Sequence, residues 1–131
     1  MTENKLYRIS STGDSKVGLS NWEDLLLVGK PLTVSKPKER FFHVFNDKID
    51  SGCIIRAGVW EATSYAEELK NYPFHEIVFI VEGSIFITDH KGEESTFKVG
   101  ECFFIEKGFN GIWRQSETAK IFHMTVDPQE N

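Results

Sequence analysis

The chain has 131 residues, 20 of them acidic and 15 basic, and its net charge of −5 argues against a nucleic-acid binder, which needs a basic face. The length suits one domain with a hydrophobic core, and no apolar run is long enough to span a membrane. The polar N-terminus predicts no secretory signal, and Cys53 and Cys102 have no metal or redox spacing. We therefore expect two buried free thiols in a cytoplasmic protein.

The first 40 residues are predicted to form an arm that precedes the main domain. Ser20 and Glu23 have the spacing of a helical capping box, and the apolar residues that follow predict one or two helical turns over 20–28. The segment 30–40 is rich in Lys and Pro and is predicted to be a solvated connector. The domain itself is predicted to occupy 41–131.

From Phe41 onward the sequence predicts short β-strands separated by turns. The segments that predict strands are 41–45, 53–60, the hairpin 75–89, 96–99, 102–105, 112–115 and 120–126. Residues 62–73 fit a helix with a capping box at Ser64 and Glu67, and they fit a strand that ends at Pro73 equally well. Glu61 and Glu67 are predicted to be surface charges. Eight or more strands and few helices predict an antiparallel, all-β sandwich or barrel.

The hairpin over 75–89 is the most informative stretch of the chain. Its first strand is apolar on both faces, which is typical of a central strand, and it begins with Glu76. A carboxylate on such a strand needs a partner, a ligand or solvent in a cavity. Because neighbouring residues of a strand point to opposite faces, an inward Glu76 puts Val78 and Ile80 inside and His75 outside.

Two motifs resemble those of the cupin superfamily, which is also called RmlC-like. Glu76 with Gly83 is similar to the end of the first cupin motif, and the segment from Gly100 to Gly108 is similar to the second. The segments 58–62 and 108–113 resemble a small single-domain branch of ethanolamine-utilisation and ureidoglycine-aminohydrolase-type proteins. The resemblance implies an all-β, single-domain cupin jelly-roll β-barrel with an N-terminal arm.

The resemblance also implies a metal site, for which this sequence lacks most ligands. Metal-binding cupins hold one ion with three imidazoles and a carboxylate, and of these only Glu76 is present. The three histidine positions are held by Leu69 or Lys70, by Asn71 or Tyr72, and by Gly111. We therefore predict neither a metal nor another cofactor, with an atypical metal site of Glu76, Tyr72 and His123 as the alternative.

The alternation of side chains along the strands predicts which of them line a pocket inside the barrel. Glu76 is the candidate catalytic residue, as a general acid or base. The candidate ligand-pocket residues are Arg56, Trp60, Tyr72, Trp113, Gln115 and His123. Arg56 could hold an anion or neutralise Glu76, and the indole faces could stack on a sugar or cover a cationic amine. Trp113 is expected to fill part of the volume that Gly111 leaves free.

Three functions are consistent with this pocket. The first is a metal-independent enzyme that acts on a sugar or on an amine- or ureide-type metabolite. The second is a binding or regulatory module that senses a small metabolite without chemistry, and the third is a metalloenzyme with the atypical ligands. We expect no nucleic-acid or membrane partner. Because Ile77, Phe79 and Val81 on the outer face of the central strand need cover, and cupins commonly pair this way, we predict a homodimer.

Overall fold

The computed structural model describes residues 5–129, and these form two antiparallel β-sheets. The strands are β1 (Glu23–Asp24), β2 (Lys30–Pro31), β3 (Lys38–Lys48), β4 (Ile54–Ala62), β5 (Tyr65–Leu69), β6 (His75–Glu82), β7 (Ser84–Thr88), β8 (Glu94–Lys98), β9 (Cys102–Ile105), β10 (Gly111–Gln115) and β11 (Ala119–Asp127). Within this range there is no helix long and apolar enough to cross a membrane.

The two sheets enclose one hydrophobic core. The larger sheet has the strand order β1-β3-β4-β11-β6-β9, and the smaller has the order β2-β5-β10-β7-β8. Val78, Ile80 and Ile121 from the larger sheet meet Leu69 and Ile85 from the smaller one, and each of the five is at most 1% exposed. The predicted all-β jelly roll is confirmed. Among residues 5–129 it consists of two facing sheets rather than a barrel closed by continuous strand pairing.

Strand β6 lies inside the larger sheet, between β11 and β9. The predicted alternation along it is present, because Glu76, Val78 and Ile80 are buried while Ile77 and Phe79 are 42% and 41% exposed. The inner face of β6 is therefore part of the core, whereas its outer face is open in the single chain.

The helical turn predicted over 20–28 is wrong. Residues Glu23–Asp24 form β1, which pairs with the beginning of β3. The side chain of Ser20 does not cap a helix; its hydroxyl accepts a hydrogen bond from the backbone N–H of Phe41, and its own N–H donates to the Phe41 carbonyl. β1 and β2 add one edge strand to each sheet, so the arm is integrated into both layers. The division at residue 40 stays a prediction.

The ambiguous segment 62–73 contains a strand, β5, and the capping-box interpretation is wrong. The hydroxyl of Ser64 donates to the carbonyl of Gln115, which joins β5 to the end of β10. The cysteines also differ from expectation, because Cys53 is only half-buried and Cys102 is exposed, although both are free thiols.

Two valines on β6 test this arrangement, since Val78 points into the core and Val81 points outward. We expect Val78→Ala to lower the free energy of unfolding by about 2–3 kcal/mol, because it deletes fully buried methyl groups and leaves a cavity. The matched variant Val81→Ala should cost under about 1 kcal/mol. Urea denaturation of the three proteins measures both values, and equal losses would contradict the assigned faces.

Candidate small-molecule site

A cavity of about 300 Å³ lies between the two sheets. Its lining includes six of the seven side chains predicted from the sequence: Arg56, Trp60, Tyr72, Glu76, Trp113 and His123. The seventh, Gln115, lies outside this lining. Its buried amide accepts a hydrogen bond from Trp113 Nε1 at 2.9 Å and donates one to the carbonyl of Ala62 at 3.1 Å. Gln115 therefore holds the indole of Trp113 in place.

Strand pairing in the larger sheet arranges one wall of the cavity in rows. Each row takes one inward residue from β4, β11 and β6 in turn. The rows are Arg56, Thr125 and Glu76; Gly58, His123 and Val78; and Trp60, Ile121 and Ile80. The polar side chains therefore collect at one end of the wall and the apolar ones at the other. This register brings together residues that are up to about 70 positions apart in the chain.

Glu76 is the centre of a buried chain of hydrogen bonds. The hydroxyl of Tyr72 donates to Glu76 Oε1 at 2.5 Å, and His123 Nδ1 lies 2.9 Å from Glu76 Oε2. Glu76 and Tyr72 are each 6% exposed. Burial, together with the neighbouring carboxylate, raises the pKa of Tyr72 well above its usual value, so the phenol keeps its proton and remains a donor. Both carboxylate oxygens of Glu76 are thus occupied by protein donors.

A second histidine lies beside Gly58 at the cavity wall. His43 on β3 pairs with Gly58 from one side, and His123 on β11 pairs with it from the other. The centroids of the two imidazole rings lie 5.8 Å apart. A Cβ at position 58 would lie 2.1 Å from the carbonyl oxygen of Phe42, so only glycine fits here. β3 contains a bulge next to His43.

His43 resists protonation in the folded protein. Its burial, followed by the proximity of His123 and Arg56, lowers the pKa of His43 to about 4. His43 is absent from the pocket residues predicted from the sequence, although it alternates along β3 with Glu39 and Phe41, which also line the cavity.

A second buried carboxylate faces the cavity from the smaller sheet. Glu67 is 4% exposed, its Oε1 accepts a hydrogen bond from the N–H of Gly29 at 2.8 Å, and burial raises the pKa of Glu67. The prediction of a surface charge at Glu67 is wrong, and so is that at Glu61, which is 8% exposed and paired with Arg40. The alternation of Tyr65, Glu67 and Leu69 would have indicated an inward Glu67 once this segment was assigned as a strand.

Aromatic rings and a third carboxylate complete the cavity. The indoles of Trp60 and Trp113 meet edge to face with their centroids 6.2 Å apart, and Trp60 Nε1 donates to Glu39 Oε1 at 2.7 Å. Arg56 lies 3.8 Å from a carboxylate oxygen of Asp127 rather than against Glu76. His75 lies outside, as expected, where its Nδ1 accepts from the N–H of Lys107.

The residues at the family's metal positions do not fit a three-histidine centre. At the first histidine position, Leu69 is a core residue and Lys70 is exposed beside Glu68. At the second, the hydroxyl of Tyr72 reaches Glu76. At position 111 a Cβ would lie 2.2 Å from the carbonyl of Thr88 and 2.7 Å from the ring of Phe109, so there is no room for an imidazole. Phe109, not Trp113, occupies the volume next to Gly111.

Between residues 5 and 129, no group of three or more His, Cys, Asp or Glu side chains could hold a metal ion. The expectation that the protein works without a metal stays a prediction.

A known protein family matches the part of the chain that contains most residues of this site. The family model described as the EutQ-like cupin domain matches residues 54–121. A search of curated proteins found no match.

Solved structures similar to this chain share its fold at low sequence identity. A protein of unknown function from Pseudomonas syringae pv. tomato, of the DUF861 family, is 21% identical with a TM-score of 0.66 over 81% of this chain and 44% of its own. The EutQ protein of Clostridium difficile is 16% identical with a TM-score of 0.57, covering 72% and 71%. Ectoine synthase from P. lautus is 12% identical with a TM-score of 0.55, covering 81% and 70%. This chain therefore spans less than half the length of the Pseudomonas protein.

The lowered pKa of His43 predicts a loss of stability in acid. The unfolded chain takes up a proton near pH 6.5, whereas folded His43 resists until about pH 4, so stability is lost as the pH falls through this window. For a half-buried ring we expect about 1–2 kcal/mol, less than the full linkage value because solvent screens the charge. Urea denaturation at pH 7 and pH 4.5 should show a smaller acid loss in His43→Gln. The exposed His90→Gln should behave like the wild type, and identical pH slopes for all three would contradict the assignment.

Proposed function

The chain belongs to the EutQ-like cupin family, and from this premise we propose that it binds a small polar metabolite in the cavity and exchanges protons with it without a metal ion. The observation that carries this proposal is the buried chain Tyr72–Glu76–His123 on the cavity wall. Two donors, Tyr72 and His123, hold the carboxylate in one position. The hydrogen-bonded pair of Glu76 and His123 is the proposed acid–base group of the site.

The charges around the cavity support an amine- or ureide-type ligand. Glu39, Glu67 and Glu76 all line it, and the one arginine in the lining, Arg56, is close to Asp127. The lining is therefore richer in carboxylates than in cations. A protonated amine would gain charge attraction from these carboxylates and contacts with the faces of the indoles, whereas a neutral sugar would gain hydrogen bonds and stacking without the charge attraction.

Two further features of the proposal concern metal and compartment. The packing around Gly111 supports a site that works without an ion. The free thiols of Cys53 and Cys102, of which Cys102 is exposed, support a cytoplasmic location, because such thiols are typical of reducing compartments.

The variant Glu76→Gln tests the proposed role of the carboxylate. A glutamine offers one acceptor oxygen and cannot accept from both Tyr72 and His123, so we expect ligand affinity or turnover to fall at least about tenfold while the fold is retained. A panel of primary amines, ureides and hexoses, screened by thermal shift and by fluorescence of the cavity tryptophans, identifies a ligand. NMR of that ligand then detects its conversion.

A matched control and three outcomes make this test decisive. Glu61→Gln changes a buried glutamate outside the cavity lining and should leave binding unchanged. Binding without conversion would favour a sensing module over an enzyme. Unchanged binding and turnover in Glu76→Gln would remove Glu76 from the site. Sensitivity to EDTA, or a stoichiometric metal that is lost in the variant, would instead favour the atypical metalloenzyme.

We also propose that two chains pair through the outer face of the larger sheet. The apolar face, defined by Ile77, Phe79, Phe104 and Met124, is between 40% and 62% exposed in the single chain. Phe79 stacks on Phe122 with centroids 6.1 Å apart, so part of this surface is flat and aromatic. An apolar patch on a central region of a sheet is typical of a protein interface.

Light scattering at micromolar concentration tests the dimer. We expect the mass of two chains for the wild type and the mass of one chain for Phe79→Glu, because a charge on the apolar face would have to be desolvated on pairing. Thr96→Glu, which places the same charge on an exposed strand of the smaller sheet, should remain dimeric. A monomeric wild type would overturn this proposal.

A further inference from the structure

Two buried polar atoms of the cavity wall have no hydrogen-bond partner among the described residues. They are Nε2 of His123 and Oγ1 of Thr125. The His123 side chain is 10% exposed and Thr125 is 3% exposed, and both line the cavity. Leaving such atoms unpaired in a protein interior is costly, so a native structure that contains two of them side by side calls for an explanation.

The hydrogen bonds of Glu76 determine which proton His123 carries. A carboxylate only accepts, so the hydrogen between Glu76 Oε2 and His123 belongs to Nδ1. In the neutral imidazole, Nε2 then has a lone pair and no hydrogen. The free atom of this ring is therefore an acceptor on a side chain that lines the cavity, and Glu76, which is in turn held by Tyr72, fixes its direction.

The positions of the two atoms suit a single ligand group. His123 and Thr125 are two residues apart on β11, so their side chains share a face at a spacing of about 6.5–7 Å. One ligand atom that hydrogen-bonds to both side chains bridges about 5.4–6.4 Å, which is close to this spacing. Nε2 requires a donor, whereas the threonine hydroxyl either donates or accepts. An O–H or N–H group satisfies both atoms, and a carbonyl group cannot satisfy Nε2.

We infer that His123 Nε2 and Thr125 Oγ1 form a subsite for a hydroxyl or amine group of the ligand, and that Nε2 is the atom that takes the hydrogen bond from it. This inference rests on the proposed function, because it names the point at which the ligand meets the chain Tyr72–Glu76–His123. Glu76 is then a positioning residue for His123. A proton that leaves the ligand goes to Nε2, while the hydrogen on Nδ1 remains available to Glu76.

NMR of protein labelled with ¹⁵N-histidine tests the subsite directly at pH 8. Of the four histidines, His123 should be present as the Nδ1–H tautomer with an unprotonated Nε2. The three probes are cyclohexanol, cyclohexylamine and cyclohexanone, which have the same ring. The alcohol or the amine should shift the Nε2 resonance of His123 in a saturable way, and the ketone should not. The comparison of alcohol with amine identifies which donor the subsite prefers.

Substitutions of Thr125 separate ligand binding from stability. Thr125→Val keeps the shape and removes the unpaired hydroxyl, so without a probe its melting temperature should rise by about 3 °C, while probe affinity falls at least about threefold. Thr125→Ser keeps the hydroxyl and should retain the probe response. Thr96→Val, at an exposed strand position, should change neither quantity.

Several results would overturn the subsite. They are an Nε2–H tautomer in the wild type, an equal response to the ketone, no response to any probe, or a lower melting temperature in Thr125→Val. The proposed function fails separately, when Glu76→Gln leaves metabolite turnover and binding unchanged. A probe response at Nε2 together with that result would keep the subsite and remove the proton-transfer role of Glu76.

Discussion

The burial of one carboxylate is the constraint on which this structure depends. Glu76 is located on an internal strand, where an ionised group without partners would be too costly to keep. The two donors that satisfy it come from different parts of the fold, Tyr72 from the connection between β5 and β6 and His123 from β11. Any change in the register of these strands would separate the three groups, so the pairing of the larger sheet and the chemistry of the site are determined together.

Two glycines near this carboxylate lie where no side chain fits. Gly58 lets β3 approach closely, and it is the strand partner of both His43 and His123. Gly111 is packed against Thr88 and Phe109, which closes the position where a metal-binding cupin has a histidine. In both sheets the neighbouring strand occupies the place of a Cβ, so glycine is required for close strand contact.

Local patterns in the sequence predicted Glu76 and most residues around it, but they missed two residues of the cavity lining, Glu67 and His43. The alternation along β6 places Glu76 inside without knowledge of any partner strand, and the same argument holds for Trp60, Trp113 and His123. Glu67 and His43 depend on non-local facts, namely the pairing of β5 with β2 and β10 and the pairing of β3 with β4. The capping-box spacing at Ser20 failed because its hydroxyl bonds to Phe41, which is 21 residues away. Gln115 is on the predicted face, but its amide is taken by Trp113 and Ala62.

The arm has a dynamic consequence that its packing alone does not suggest. Leu25, Leu26 and Val28 form part of the rim of the cavity, and the segment is attached on either side by strands of only two residues. Short edge pairings of this kind open with a much smaller free energy than the whole fold does. Local opening of the arm removes one edge strand from each sheet and uncovers this side of the cavity, while the inner strands stay paired.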